Sequence, residues 1–304
     1  MLQTPVRFAP ADLLTSLFAL ALVLVGLARL SAVTEPSSLL LIALAGLLPV
    51  VNATLRASGS RSRAVALFRD FSMVASILVI FDNLGPLIRA VQPVDRDAWL
   101  IASDRWLLGT DPTRALSAVA TPLLSDVLTV CYALYYFHPI VLAALLWADD
   151  LRLGRTGTSR EFPRFAFVVL SVFYASYVGY FVMPAVGPRA TIVHEAPLPR
   201  GAVATAIDET LSKLEKNKRD CFPSGHTMVT VAVLVEAYRR SRWTFAAFLP
   251  FAVGLLAATV YGRYHYVTDV LAGLVLVAAT LPAARGAYAW LAPRLDGTLR
   301  QTSR

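Results

Sequence analysis

The chain has 304 residues, of which 57% are hydrophobic and only 16% charged. A soluble domain carries about a quarter charged residues, so this composition excludes a soluble enzyme and implies a protein that crosses the membrane many times. The net charge of +8 gathers in short Arg-rich connections between apolar runs, which points to membrane topology and not to a nucleic-acid partner.

In chain order, residues 1–11 form a short tail and Asp12–Leu30 the first expected span. That run is long enough to cross and has no convincing cleavage site, so no cleavable signal peptide is expected. Ser37–Val51 follows, then a basic loop with Arg56, Arg61 and Arg63. Ala66–Val91 is the third span and carries Asp82 and Asn83. Gln92–Thr121 is polar with interspersed aromatics, and reads as a segment lying along the membrane surface. Pro122–Trp147 and Phe165–Met183 are the fourth and fifth spans, joined by an Arg-rich loop over Asp149–Arg164. Pro184–Cys221 is the longest polar connection and holds all three lysines, with Thr205–Lys216 as a short amphipathic helix. Pro223–Tyr238, Thr244–Val260 and Val267–Tyr288 complete the spans, and the tail is basic at Arg294, Arg300 and Arg304. The expected fold class is all-α, a polytopic membrane bundle of about eight transmembrane helices.

Four basic stretches share one side if there are eight spans: three Arg-rich loops and the C-terminal tail. Cytoplasmic loops attract Lys and Arg, so both termini are expected in the cytoplasm. The 184–222 connection then lies on the extracytoplasmic face.

Two polar islands stand out against this apolar background. The first is Arg219-Asp-Cys-Phe-Pro-Ser-Gly-His-Thr227, at the mouth of the sixth span. Free N–H groups and the positive dipole end of a helix start form a ready anion site, and here Ser224, Gly225 and His226 sit beside one. The second is Tyr261-Gly-Arg-Tyr-His-Tyr-Val-Thr-Asp269. His265 and Asp269 are four apart, so on a helix they share a face and the carboxylate can hold the imidazole in one tautomer. Both islands begin spans that start from the same membrane face, so His226 and His265 are expected to meet. The two cysteines, Cys131 and Cys221, have no metal-ligand spacing, and neither a metal nor another cofactor is expected.

These islands resemble the motifs of the type 2 phosphatidic acid phosphatase superfamily. Phe222-Pro-Ser-Gly-His226 matches its Pro-Ser-Gly-His motif, and His265-x-x-x-Asp269, followed by Gly273, matches the end of its last motif. The resemblance covers about Phe165 to Leu276 in spacing. It implies a six-helix catalytic core over 63–304 with a polar active-site loop at 184–222, and two additional N-terminal helices in 1–62. Two positions depart from the common form. Ala258 and Thr259 stand where a Ser-Arg pair is usual, and no Lys-x6-Arg-Pro precedes the first island; Met183-Pro-Ala-Val-Gly-Pro-Arg189 is found instead. In this the chain looks more like the branch with inositol phosphorylceramide synthases and, more distantly, sphingomyelin synthases.

The resemblance implies His265 as nucleophile through a phosphohistidine, Asp269 as its orienting carboxylate and His226 as general acid and base. Ser224 and Gly225 are expected at the phosphate, with Arg189, Arg263 and Arg219 as its cationic partners. The substrate is then a membrane lipid with a phosphate or phosphodiester headgroup. The acceptor is water in a lipid phosphatase, or a lipid or polyol hydroxyl in a headgroup transferase. A lipid transporter is the alternative of another class, in which Asp82 would line a path; no internal repeat of the kind common in transporters is found. His138 and His194 have no partner by sequence.

Overall fold

Runs of Leu, Val, Ala and Phe, interrupted by few charges, give long helices whose backbone hydrogen bonds close within the segment, as a hydrocarbon surrounding demands. The computed structural model describes residues 8–60, 62–214 and 217–296, with the side chain of Leu214 excepted. Arg61, Lys216, Arg300 and Arg304, all named above, lie outside the described residues. Among those described there are helices and connections but no strand.

The α-helices are α1 (Pro10–Ala28), α2 (Ser37–Ala57), α3 (Arg63–Phe71), α4 (Met73–Asp82), α5 (Leu84–Val91), α6 (Asp97–Leu108), α7 (Pro112–Ala115), α8 (Pro122–Ala133), α9 (His138–Arg152), α10 (Glu161–Val182), α11 (Pro188–Thr191), α12 (Ala202–Leu214), α13 (Gly225–Arg240), α14 (Arg242–Tyr261) and α15 (Val267–Asp296). Among the described residues six helices are long and apolar enough to cross a membrane, and a seventh crossing exists if the pair over Pro122–Tyr136 and His138–Arg152, bent by 48°, is one span. Against the expected count of about eight, six or seven pass by length and composition. The shortfall lies at α13, whose 16 residues rise only about 24 Å against a hydrocarbon core of about 30 Å. The expected third span is also divided: α3 and α4 form one crossing length over Arg63–Asp82, and α5 follows separately. The short helix of the long polar connection is Ala202–Leu214, where Thr205–Lys216 was expected.

The chain forms two compact units. One comprises the described residues up to Val91 with Ala143–Tyr174 and those from Thr280 on; the other comprises Gln92–Leu142 and Ala175–Ala279. In the first, α2 packs on α1 and on α4. Asp12, 1% exposed, is matched there by an ion pair with Arg56 and a 3.4 Å hydrogen bond from Asn52. Asp150 of α9 accepts the N–H groups of Glu161 and Phe162 at 2.9 Å and caps the start of α10. Trp147 donates to Asp70 at 3.0 Å.

In the second unit α14 packs on α13 and α8, and α12 on α8. Its most consequential element is α6, in the segment expected to lie along the membrane surface. Asp97 of α6 is buried and accepts from Gly187 N–H at 2.8 Å, Val186 N–H at 3.0 Å and the Tyr266 hydroxyl at 2.9 Å. Asp104, about two turns further along the same face, accepts from Val267 N–H at 2.9 Å, Thr268 N–H at 2.8 Å and the Thr268 hydroxyl at 2.6 Å. The two N–H donors are otherwise unpaired groups at the start of α15. Helix α6 thus holds both the 184–189 loop and the head of α15, and Leu100 of the same helix packs with Ala185, Cys221 and Tyr266.

Candidate active site

The two polar islands come together in the second unit. The peptide N–H of Ser224 donates to the Asp269 carbonyl at 3.1 Å, which joins the start of α13 to the first turn of α15. Ser224 caps α13: its hydroxyl oxygen accepts from Thr227 N–H at 3.2 Å and from the Thr227 hydroxyl at 2.9 Å. A Cβ at Gly225 would lie 2.5 Å from the Tyr180 hydroxyl oxygen, so only glycine lets the helix begin this close to α10.

Side chains of the two islands then meet in a line. His265 Nδ1 lies 2.9 Å from an Asp269 carboxylate oxygen and 3.0 Å from the Cys221 carbonyl. Both neighbours are acceptors, so the ring proton sits on Nδ1 and the Nε2 lone pair faces away from them. Nε2 points to His226 Nδ1 at 3.0 Å. Asp269 is wholly buried and His265 is 3% exposed. Burial opposes a charge on His265, but the hydrogen bond and negative charge of Asp269 outweigh it and raise the imidazole above its ordinary value. The His226 ring rests against Tyr132 and Tyr135, with centroids 4.8 and 4.2 Å away.

Cys221 is a member of this cluster that the sequence reading passed over. Its Sγ donates to the same Asp269 oxygen at 2.8 Å. Burial pushes the thiol well up, and the Asp269 charge adds to that, so it is not a thiolate nucleophile. Cys221 Sγ, His265 Nδ1 and the Asp269 oxygen lie within 4.8 Å of one another, a donor set of metal-binding type. The proton on Nδ1 and the S–H donated to the carboxylate occupy the lone pairs a metal would use.

His226 and His265 open on a cavity of about 120 Å³ that is also lined by Arg189, Arg263, Asn217 and Tyr264. Arg189 lies with its guanidinium 4.2 Å from the Tyr264 ring centroid and donates to Asp208 at 3.1 Å and to the Gly262 carbonyl at 3.3 Å. Its place depends on Gly187, whose φ of 93° favours glycine and where a Cβ would lie 2.5 Å from the Tyr264 carbonyl oxygen. Asp208 also takes an ion pair from Arg200 at 2.9 Å and the Tyr264 hydroxyl at 3.0 Å. Burial works against its charge, yet Arg189, Tyr264 and Arg200 together hold it below the usual carboxylate range. Burial pushes the Tyr264 hydroxyl up to about 12.

Arg263 has φ 64°, a left-handed conformation uncommon for a side-chain-bearing residue. It donates to the Ser117 hydroxyl and the Ala196 carbonyl, each at 3.1 Å. Burial, then the positive charges of Arg189 and Arg200, lower its pKa. Three buried side-chain nitrogens of the cavity residues have no partner among the described residues: Arg263 Nε, Asn217 Nδ2 and His226 Nε2. Asn217 turns its oxygen to Arg219 N–H at 3.1 Å, which leaves the amide nitrogen unpaired. Unsatisfied buried polar groups are rare, and the two donors among these, Arg263 Nε and Asn217 Nδ2, form a setting that an anion completes, whereas His226 Nε2, with that ring's proton on Nδ1, is an acceptor.

Of the expected residues, His226, His265, Asp269, Arg189 and Arg263 thus gather here, with Ser224 and Gly225 at the adjoining helix start. Arg219 does not line the cavity. Its side chain, 4% exposed, is paired with Asp95 and donates to the Gln92 and Pro93 carbonyls at 3.1 and 2.9 Å. His194 bonds the Thr113 hydroxyl at 3.0 Å and does not line the cavity.

Residues 98–283, more than half of the chain, match the profile described as the PAP2 superfamily. No curated protein and no solved structure matches the chain significantly.

Proposed function

The chain belongs to the PAP2 superfamily, and from that premise we propose that it is an integral membrane lipid phosphatase working through a phosphohistidine on His265. The single observation that carries this reading is the line from Asp269 through His265 to His226 at 2.9 and 3.0 Å, on a cavity with cationic and unpaired nitrogen donors. In the first step the His265 Nε2 lone pair attacks phosphorus and the bond from phosphorus to the lipid oxygen breaks. His226 gives that oxygen its proton, and the lipid alcohol leaves. In the second step water attacks phosphorus, the P–N bond breaks, and His226 takes a proton from the water. Asp269 stabilises the positive charge that develops on His265. Arg189, Arg263 and the Asn217 amide face the phosphoryl oxygens, where fixed donors act without a metal.

Headgroup transfer of the inositol phosphorylceramide synthase type is the second reading. Ala258 and Thr259, in place of the Ser-Arg pair common in the phosphatases, favour it. The first step is the same; a lipid or polyol hydroxyl replaces water in the second. Purified protein offered lipid phosphates and phosphodiesters, with and without alcohol acceptors, separates the two. Free phosphate lost in His265→Ala supports the phosphatase. An acceptor-dependent phospholipid without free phosphate supports the transferase. Equal turnover in wild type and His265→Ala overturns both.

The membrane topology belongs to the same proposal. The heads of α13 and α15 share one face because their histidines meet, and α14 is long enough to cross. A crossing α14 that ends at the site requires α13 to traverse in the other direction despite its length. With the bent pair counted as a crossing, eight result. The Arg-rich connections then support cytoplasmic termini and a cavity on the extracytoplasmic face.

A further inference from the structure

One helical turn beyond His226, a second cavity of about 300 Å³ lies among α8, α9, α13 and α14, at the lower edge of the size of ligand pockets. Its walls are almost wholly apolar, and rim residues Phe137, Val141 and Phe251 are exposed, on segments long and apolar enough to cross a membrane. Two polar atoms break this pattern. Thr230 is wholly buried, and its hydroxyl oxygen has no partner among the described residues. A helical threonine in hydrocarbon ordinarily bonds a carbonyl of the preceding turn. His138 Nδ1 lies 3.3 Å from the Leu134 carbonyl, so Nδ1 carries the proton and Nε2 is an acceptor. That Nε2 is buried and likewise without a partner.

One unpaired acceptor and one unpaired hydroxyl on the same apolar cavity are complementary to a single ligand hydroxyl, which donates to His138 Nε2 and accepts from Thr230. The pocket's opening toward hydrocarbon selects a ligand with an apolar chain. We infer that this pocket binds the hydroxyl-bearing part of a lipid alcohol. The inference deepens the reading above, because Thr230 is four residues after His226 on α13, and Tyr135, against the His226 ring, is three before His138. A lipid alcohol is the leaving product of a phosphatase and the acceptor of a transferase. In the second case its oxygen attacks phosphorus on His265, the P–N bond breaks, and His226 takes its proton.

The test uses hexadecanol carrying a diazirine a few carbons from its hydroxyl, with its methyl ether as control, on the full chain in detergent micelles. Photolabelling by the alcohol is expected on pocket residues of α13 and α14, and the ether is expected to label roughly tenfold less. His138→Phe should abolish that preference, and Thr230→Val should weaken labelling by both probes, because the ether oxygen can still accept from Thr230. Ala252→Phe, which fills the cavity, should lose labelling by both probes while retaining hydrolysis of a short-chain phosphate monoester as evidence of a folded protein. Equal labelling by alcohol and ether, or labelling unchanged in Thr230→Val, overturns the inference. Phosphorylated hexadecanol in the same reaction identifies an acceptor; inhibition of phosphate release without that product identifies the leaving alcohol. Labelling with the expected preference but no turnover of any phosphoester leaves the pocket standing and overturns the enzymatic reading alone.

Discussion

His265 Nε2 and His226 Nδ1 are 3.0 Å apart and joined by one hydrogen bond, so the pair is closed on itself. A phosphoryl group attacked by Nε2 must take the place that His226 holds. The proton bridging the two rings is then the proton available to the leaving oxygen. This makes the pair a unit: loss of either ring should lower turnover of a lipid phosphate by more than the about 10²–10⁴-fold usual for general acid–base help alone, and the double variant His226→Ala/His265→Ala should be no slower than His265→Ala. Initial rates of the three proteins check this.

Protonation of His265 should set the acid limb of the pH profile. On the proposed mechanism His265 attacks through its Nε2 lone pair, and Asp269, outweighing burial, raises its pKa above the ordinary 6.5. Activity should therefore rise with pH through an inflection above 6.5 in kcat/KM. Asp269→Asn removes the charge, and its inflection should move to lower pH while turnover falls about 10²–10⁴-fold. The same raised pKa contributes stability that is complete below the unfolded value of about 6.5 and is lost as pH rises through the folded value. Thermal unfolding of wild type should accordingly lose more stability than Asp269→Asn on the alkaline side.

Much of this arrangement was legible in the sequence because chemistry and position coincided. Serine, glycine and histidine at a helix mouth, and a histidine four before an aspartate, are local patterns whose meeting needs only two helices starting on one face. The supporting residues were not legible. Asp97 and Asp104 act about 90 and 163 residues away, on Gly187 and Val267, and a carboxylate in a polar segment gives no sign of its distant partner. Arg219 carried the opposite lesson: a cation beside the motif is taken up by Asp95 and two carbonyls. Helix α13 is shorter than the usual crossing length because polar residues of the site occupy the turn at its head that a longer apolar run would fill.

Asp97 should be a positioning residue. Asp97→Ala leaves the N–H groups of Val186 and Gly187 without their acceptor, and the Tyr266 hydroxyl with Thr191 alone. The loss should destabilise the fold by on the order of 3 kcal/mol. Because Gly187 precedes Arg189, KM should rise as well, and Asp97→Asn, which keeps one acceptor oxygen, should restore part of both. Thermal unfolding and steady-state kinetics measure the two effects.

Asp208 should compete with the substrate for Arg189. It binds Arg189 at 3.1 Å and Arg200 at 2.9 Å. Asp208→Asn removes that negative charge and should strengthen inhibition by inorganic phosphate several-fold, on the order of 1 kcal/mol for a partly exposed pair. A weaker inhibition would mean that Asp208 orders the arginines more than it occupies them.

Chelation and alkylation should both be without effect. The reading needs no metal, so dialysis against EDTA should leave turnover unchanged, and its loss with recovery on added zinc would assign Cys221, His265 and Asp269 to a metal instead. Burial keeps the Cys221 thiol protonated, so iodoacetamide at neutral pH should not inactivate.

The central claim is a covalent bond between phosphorus and His265, and it is tested most directly by acid-free quenching of wild type during turnover of a phosphorus-labelled lipid phosphate. Peptide mass spectrometry should place a base-stable, acid-labile phosphoryl group on His265, absent from His265→Ala. Label on Ser224 or another residue, or rapid turnover with His265 never labelled even when the second step is slowed, would contradict it.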